Sequence, residues 1–159
     1  MPPFEELYRA YFTEVYRYAF SLCGHKETAE DVTAETFLKA MRQLNTFRGE
    51  CDFKVWLFRI AKNTWYSMLR KDRPITDRPQ EEPAETAPSP EETVLRSAEA
   101  MELHRALHRL PEPYKEVFSL RTFGELSFRQ IGALFGKTDH WACVTYHRAK
   151  EKIREALGE

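Results

Sequence analysis

The chain has 159 residues with 24 Lys and Arg against 25 Asp and Glu, a net charge of −1, and that length suits one ordinary domain or two small ones. No run approaches the roughly 18 to 20 consecutive apolar residues of a membrane-spanning helix. The start MPPFEELYRA lacks a basic segment followed by an apolar one, so a soluble, unprocessed, cytoplasmic protein is expected.

In chain order, Phe4, Leu7, Tyr8, Tyr11, Phe12, Val15, Ala19 and Leu22 recur at spacings of three and four. This predicts an amphipathic helix over residues 4–23, stopped by Gly24. A second helix is expected to start at Thr28, an N-cap with Asp31 three residues on, and to run through Val32, Phe37, Leu38 and Met41 to about Leu44. Asn45, Thr46, Arg48 and Gly49 break the pattern. It resumes at Phe53, Trp56, Leu57, Ile60 and Ala61, which predicts a third helix to about Leu69 and a three-helix bundle.

From Asp72 to about Glu92 the composition changes to Pro74, Pro79, Pro83, Pro88 and Pro90 among Glu81, Glu82, Glu85, Glu91 and Glu92. Proline removes backbone donors and like charges extend the chain, so residues 73–100 read as a flexible acidic linker between modules 1–72 and 101–159. The second module opens with Met101, Leu103, Leu107 and Leu110, and Pro111 and Pro113 then suit the first turn of a helix carrying Val117, Phe118 and Leu120 to a bend at Gly124. Ser127 with Gln130 makes a capping box for a short helix bearing Ile131, Leu134 and Phe135, and Gly136 ends it. Thr138 can cap a last helix in which Ala142, Tyr146, Ala149, Ile153 and Leu157 form one apolar stripe. No strand-like alternation of useful length occurs. The fold class expected is therefore all-α, with two small helical domains.

The near-neutral total conceals a partition. Residues 1–72 carry 11 basic against 10 acidic side chains, residues 73–100 carry 3 against 7, and residues 101–159 carry 10 against 8. A polyanion can bind either end. Residues 46–71 interleave Phe47, Phe53, Trp56, Phe58, Trp65 and Tyr66 with Arg48, Lys54, Arg59, Lys62, Arg70 and Lys71. Such a surface stacks on exposed bases while neutralising phosphates, and an amphipathic helix with an aromatic core face has the same composition. Residues 127–157 have the layout of a helix-turn-helix whose outer face shows His140, Thr145, His147, Arg148, Lys150 and Lys152. An αα-hairpin with a solvated basic face is the competing account.

Cys23, Cys51 and Cys143 are odd in number and far apart, which suits free thiols better than a disulfide framework or a zinc site. His104 and His108 stand four apart on a helix without a third ligand nearby, so a satisfied or solvated pair is expected, and no metal. A helical metal-dependent enzyme built on that pair is the alternative from another class. The six glycines form no phosphate-cradling loop and no nucleophile or paired-carboxylate arrangement stands out, so the chain reads as no enzyme, with no cofactor and no small-molecule substrate.

Four segments, TAEDVTAETFLKA (28–40), LNTFRGECDFKVWLFRIAKNTWYSMLRK (44–71), LPEPYKEVFSLRTFGELSFRQIGALFG (110–136) and HRAKEKIR (147–154), resemble in order and spacing the bacterial RNA polymerase sigma factors of the extracytoplasmic-function group. The resemblance implies a promoter-reading subunit with two helical domains, region 2 and region 4. It implies that Asp31, Glu35, Phe37, Leu38, Lys39 and Arg42 dock on the clamp helices of the polymerase's largest subunit, and that region 4 meets the flap of the second-largest. It further implies that Phe47, Arg48 and Asn63 read the single-stranded minus-10 element, with Trp56, Arg59, Trp65 and Arg70 supporting melting or holding phosphates. Ser127, His140, Val144, Thr145, His147 and Arg148 would meet the duplex minus-35 element. An anti-sigma protein, often membrane-bound in the family, is the implied regulator. Two positions depart from the pattern: Ala34 stands where the family usually has Gln, and Cys143 where it usually has Arg or Lys. The residues alone also allow an autonomous helix-turn-helix regulator.

Overall fold

The computed structural model describes residues 3–71 and 90–158, and within them the chain forms seven α-helices and no strand. They are α1 (Phe4–Cys23), α2 (Lys26–Gln43), α3 (Phe53–Lys71), α4 (Pro90–Arg109), α5 (Tyr114–Thr122), α6 (Phe128–Phe135) and α7 (Asp139–Ala156), with a 3-10 turn at Leu44–Thr46. The expected linker from residue 73 to residue 89 lies outside the described residues. Residues 90–100, also expected in the linker, are instead the first half of α4. Pro90 occupies the first helical position, where a missing N–H is harmless, and residues 91–100 contain neither proline nor glycine.

Helix α1 has the bounds its periodicity predicts, and Gly24 closes it in the left-handed conformation at φ 75°, donating its N–H to the Phe20 carbonyl at 2.8 Å. That reversal lets α2 begin at Lys26, so His25 is the N-cap and Thr28, expected there, is buried inside the helix. The hydroxyls of Thr33 and Thr36, also buried in α2, donate to the Ala29 and Val32 carbonyls at 2.7 and 2.6 Å, which satisfies them within their own helix. Helix α3 continues to Lys71 and buries Val55, Leu57, Phe58, Ala61, Thr64 and Trp65 against α1 and α2.

In the second module Pro113 is the N-cap of α5, so both prolines precede the helix. The capping box of α6 is formed: Gln130 N–H donates to Ser127 Oγ at 3.1 Å, and Ser127 N–H to Gln130 Oε1 at 2.8 Å. Gly136 then turns the chain at φ 68°. Thr138 Oγ1 caps α7 by accepting from Trp141 N–H at 3.0 Å. The two helices lie so close that a Cβ on Gly132 would come within 2.7 Å of the Thr138 carbonyl oxygen. Of the predicted α7 stripe, Ala142, Ala149 and Ile153 are buried, while Leu157, at the last turn, is exposed.

The modules are packed together. Val117, Leu120, Leu126, Ile131, Leu134 and Ala142 of the second share one apolar core with Val15, Tyr18, Leu57 and Phe58 of the first. A smaller core of Ala106, Leu107, Leu110, Phe118, Ala149 and Ile153 holds α4, α5 and α7 together.

Candidate nucleic-acid interface

Helix α3 divides its circumference between three tasks. Phe58, Ala61 and Trp65 recur at three and four and point into the core. Lys54, Phe58, Lys62 and Tyr66, each one turn apart, face the second module. Arg59, Asn63 and Arg70 are exposed on the remaining face, with half-buried Trp56 at its start. Beside Trp56 the preceding loop contributes Phe47, whose ring lies 5.2 Å from the indole and 5.7 Å from Phe53. Phe53 is in turn 5.5 Å from Trp56 and 5.6 Å from Tyr11. These spacings suit tilted and edge-to-face aromatic packing, which holds Trp56 and Phe47 in place without burying them fully. Arg48 is exposed beside Gly49, whose φ of 73° requires glycine or tolerates few other residues, with open space where a side chain would be.

The structure therefore brings Phe47, Arg48, Trp56, Arg59, Asn63 and Arg70 to the surface of one segment, while Trp65 is 6% exposed and belongs to the core. Its place one turn after Ala61 on the inward stripe accounts for that.

Asp31, Leu38 and Arg42 of α2 are exposed, and Glu35 and Lys39 are half-buried. Lys39 Nζ donates to Thr64 Oγ1 at 3.2 Å. Asp31, Ala34, Glu35, Leu38 and Lys39 line a groove with Met68 and Lys71 of α3. Phe37 turns the other way, 4% exposed, its ring 4.9 Å from Tyr8 and 6.3 Å from Phe4. Tyr8, Phe12 and Met41, which sequence reasoning did not place in a site, are exposed on that same side; their only sequence signal was large apolar residues on α1 and α2 in excess of what one core face needs.

On α7, His140, His147 and Arg148 are exposed and Val144 is half-buried. Thr145, expected on the outer face, is 6% exposed, because it stands three residues after Ala142 and four before Ala149 on the inward stripe. Cys143 borders a shallow depression with Val144, His147, Arg148, Lys150 and Arg154. Ser127 is exposed, but its hydroxyl and N–H are both engaged in the capping box. Arg121 lies 4.3 Å over the Phe128 ring and donates to the Leu126 carbonyl at 3.1 Å, which fixes the approach to α6.

One polar cluster escaped sequence reasoning altogether. Glu116 of α5 is 4% exposed. Its Oε1 accepts from Tyr18 OH at 3.3 Å and faces Lys62 Nζ at 3.6 Å, while its Oε2 is 3.2 Å from Tyr66 OH. Tyr66 has one hydroxyl proton and lies closer, 2.6 Å, to Glu112 Oε2. If that proton goes to Glu112, Glu116 Oε2 faces an acceptor unless it carries a proton itself. Burial indeed pushes the Glu116 carboxyl above its ordinary value of 4.5, against the pull of Lys62 and with a further push from Glu112. Burial and the Glu116 charge likewise raise the Tyr18 and Tyr66 hydroxyls.

A carboxyl raised on folding binds more protons in the folded chain, so its contribution to stability is greatest below 4.5 and is lost as pH rises through the raised value. The unfolding free energy of the wild type relative to Glu116→Gln should therefore fall as pH rises from about 4 towards neutrality. Denaturant titrations across that range read this directly, and a pH-independent difference would contradict it.

His104 is buried between the rings of Phe20 and Phe123, at 5.3 and 5.4 Å, and burial holds the half-buried His108 below its usual value. Among the described residues no group of three or more His, Cys, Asp or Glu is placed to hold a metal ion, and no helix is long and apolar enough to cross a membrane. None of Cys23, Cys51 and Cys143 is joined in a disulfide.

Comparison with known proteins matches Sigma-70 region 2 to residues 7–75 and Sigma-70, region 4 to residues 100–153. The RNA polymerase sigma factor YlaC of Bacillus subtilis (strain 168) is 32% identical over 157 residues, covering 96% of this chain and 91% of that protein. The ECF RNA polymerase sigma factor BldN of Streptomyces coelicolor is 34% identical over 158 residues, covering 97% of this chain and 60% of that protein. Among solved structures, the sigma factor RpoE in complex with the anti-sigma factor NepR from Bartonella quintana has a TM-score of 0.77 at 23% identity, covering 98% of this chain and 96% of that one, a likeness of fold.

Proposed function

Because the chain belongs to the sigma-70 family of RNA polymerase sigma factors, in its extracytoplasmic-function group, we propose that its surfaces divide promoter recognition between the two modules. The chain directs promoter-specific initiation; the division of residues is our reading. The face of α3 with Arg59, Asn63 and Arg70, next to the aromatic cluster of Phe47, Phe53 and Trp56, receives the minus-10 strand. That juxtaposition of exposed cations, an amide and partly covered rings carries the reading. Rings offer stacking to an unpaired base, the arginines neutralise flanking phosphates, and Asn63 supplies a donor and an acceptor for a base edge.

The groove between α2 and α3, with exposed Leu38 between the charges of Asp31, Glu35 and Lys39, docks on the clamp helices of core polymerase. Phe37, on the other side of α2, packs against α1 and takes no part in that surface. Region 4, α4 to α7, meets the polymerase flap and lays the N-terminal half of α7 in the major groove at the minus-35 element. There Arg148, His147 and His140 reach DNA, and Val144 lies beside them. Cys143, at the same surface, brings no positive charge, so Arg148 carries a larger share of the contact. Arg148→Ala should weaken binding to a minus-35 duplex by roughly 1–3 kcal/mol, about five- to 150-fold, read by fluorescence anisotropy of the polymerase complex. Thr145 and Trp65 act through packing.

The protein supplies no catalytic step of its own; the polymerase does the chemistry. An anti-sigma protein regulates it, a reading supported by the fold shared with RpoE, which was solved with NepR. Mixing purified chain with core polymerase tests the proposal at its root. Stable co-elution is expected, weakened by Leu38→Asp, and no association would overturn it.

A further inference from the structure

Cys143 and Val144 stand side by side on α7 as half-buried apolar residues, yet neither belongs to the two apolar cores or to the half-buried side chains packed against them. Their neighbours along the helix do otherwise. Ala142 is part of the larger core, and Trp141 and Tyr146 pack against it. Cys143 and Val144 are instead bordered by His147, Arg148, Lys150 and Arg154 of their own helix, in one shallow depression. Helical phase explains the arrangement. Ala142, Thr145, Ala149 and Ile153 are buried, and at about 100° per residue Val144 falls on the opposite side of α7. It lies between exposed His140, one turn before it, and exposed Arg148, one turn after, and Cys143 is one turn before exposed His147. Two apolar side chains with no place in the interior are thus set among the polar side chains of the outward face.

We infer that Cys143 and Val144 form an apolar ledge that selects thymine within the minus-35 element by its C5 methyl group, an inference that rests on the proposed placement of α7 in the major groove. In that groove thymine alone offers an apolar group; guanine and adenine present N7 with O6 or N6, and cytosine its N4 amino group. Laid against a thiol and an isopropyl group, such polar edges lose water and gain no partner, which disfavours them. The methyl group loses only water. A cysteine serves here as a small apolar side chain with a weak donor, so it does not compete for a polar base edge. An arginine at position 143 would place a fork of donors over the same depression, which matches guanine or a phosphate and not a methyl group. The exposed cations around the ledge, Arg148 and Arg154, hold the flanking phosphates and so fix the depth at which the ledge meets the bases.

The test uses core polymerase reconstituted with the full-length chain and duplexes carrying a randomised minus-35 segment, the bound fraction being sequenced. Wild type should recover thymine at a fixed position. Each recovered thymine is then replaced in turn by uracil, which removes the methyl group and nothing else, and affinity is read by fluorescence anisotropy. At one position it should fall about fourfold, the contribution of one buried methyl group. With cytosine at that position, methylation at C5 should raise affinity by a similar factor. Cys143→Ser/Val144→Ser should bring the thymine-to-uracil ratio close to one. Cys143→Arg should do the same and steepen the dependence on salt by about one phosphate contact. Circular dichroism at the wild-type level shows that each variant is folded; if the double variant loses helix, Cys143→Arg decides alone. Equal binding of thymine and uracil at every position, indifference to methylation of cytosine, or a ratio unchanged in the variants overturns the ledge. Arg148→Ala separates this from the parent reading: a recovered minus-35 sequence that Arg148→Ala binds weakly, but in which uracil equals thymine, sinks the ledge alone, whereas a complex that recovers no sequence sinks the placement of α7 as well.

Discussion

Phe58→Ala should lower the free energy of unfolding by about 3–5 kcal/mol, the range for truncating a fully buried aromatic ring. A single domain of ordinary stability has only about 5–15 kcal/mol in total, so this one change should bring the protein close to unfolding at 37 °C. Phe58 is 0% exposed and meets the Tyr18 ring edge-on at 5.3 Å. Its far edge abuts Gly124, so the cavity would open between α3, α1 and the segment after α5, and three elements would have to move together to fill it. Chemical denaturation followed by circular dichroism measures the loss. A change below about 1 kcal/mol would mean that the two modules do not share this core.

Trp56→Ala should reduce promoter opening about tenfold or more while leaving association with core polymerase intact. Unstacking a base costs a few kcal/mol, and stacking on an aromatic side chain recovers about 1–3 kcal/mol per base, where 1.4 kcal/mol is a factor of ten. Trp56 is held by Phe47 and Phe53 at 5.2 and 5.5 Å, so it is prepared for a base before DNA arrives. Asn63, two turns further along the same face, is expected to alter which minus-10 sequence is preferred. Permanganate reactivity of unpaired thymines reads the first effect, and initiation on minus-10 variants reads the second. Unchanged promoter preference in Asn63→Ala would show that the base pocket lies elsewhere.

Much of the fold was legible because local signals and tertiary needs agree. The three- and four-residue spacing of α1, the capping box at Ser127 and Gln130, and the glycine at 136 each act within one turn of chain, and each is realised. The start of α2 was misread because a Thr three residues before an acid also suits a helix interior, and the left-handed Gly24 moved the start forward. Residues 90–100 looked like linker because Pro90 was counted as a breaker, although at the first position of a helix proline breaks nothing. Phe37, Trp65 and Thr145 illustrate a different limit. Similarity of motif nominated all three as contacts, and the layout of the last helix also put Thr145 on its outer face, whereas all three are buried on inward stripes of their helices. The meeting of Glu116 with Tyr18 and Lys62 had no local trace, since it joins positions 98 and 54 residues apart and an acid early in a helix looks like an ordinary solvated one.

Transcription from a randomised promoter library, with and without this chain added to core polymerase, tests whether the two modules divide promoter reading between them. Transcripts are expected to start downstream of one recurrent pair of minus-35 and minus-10 sequences only when both components are present, with the minus-10 preference altered by Asn63→Ala and the minus-35 preference weakened by Arg148→Ala. Transcripts independent of the added chain, or a start-site preference indifferent to both substitutions, would contradict it.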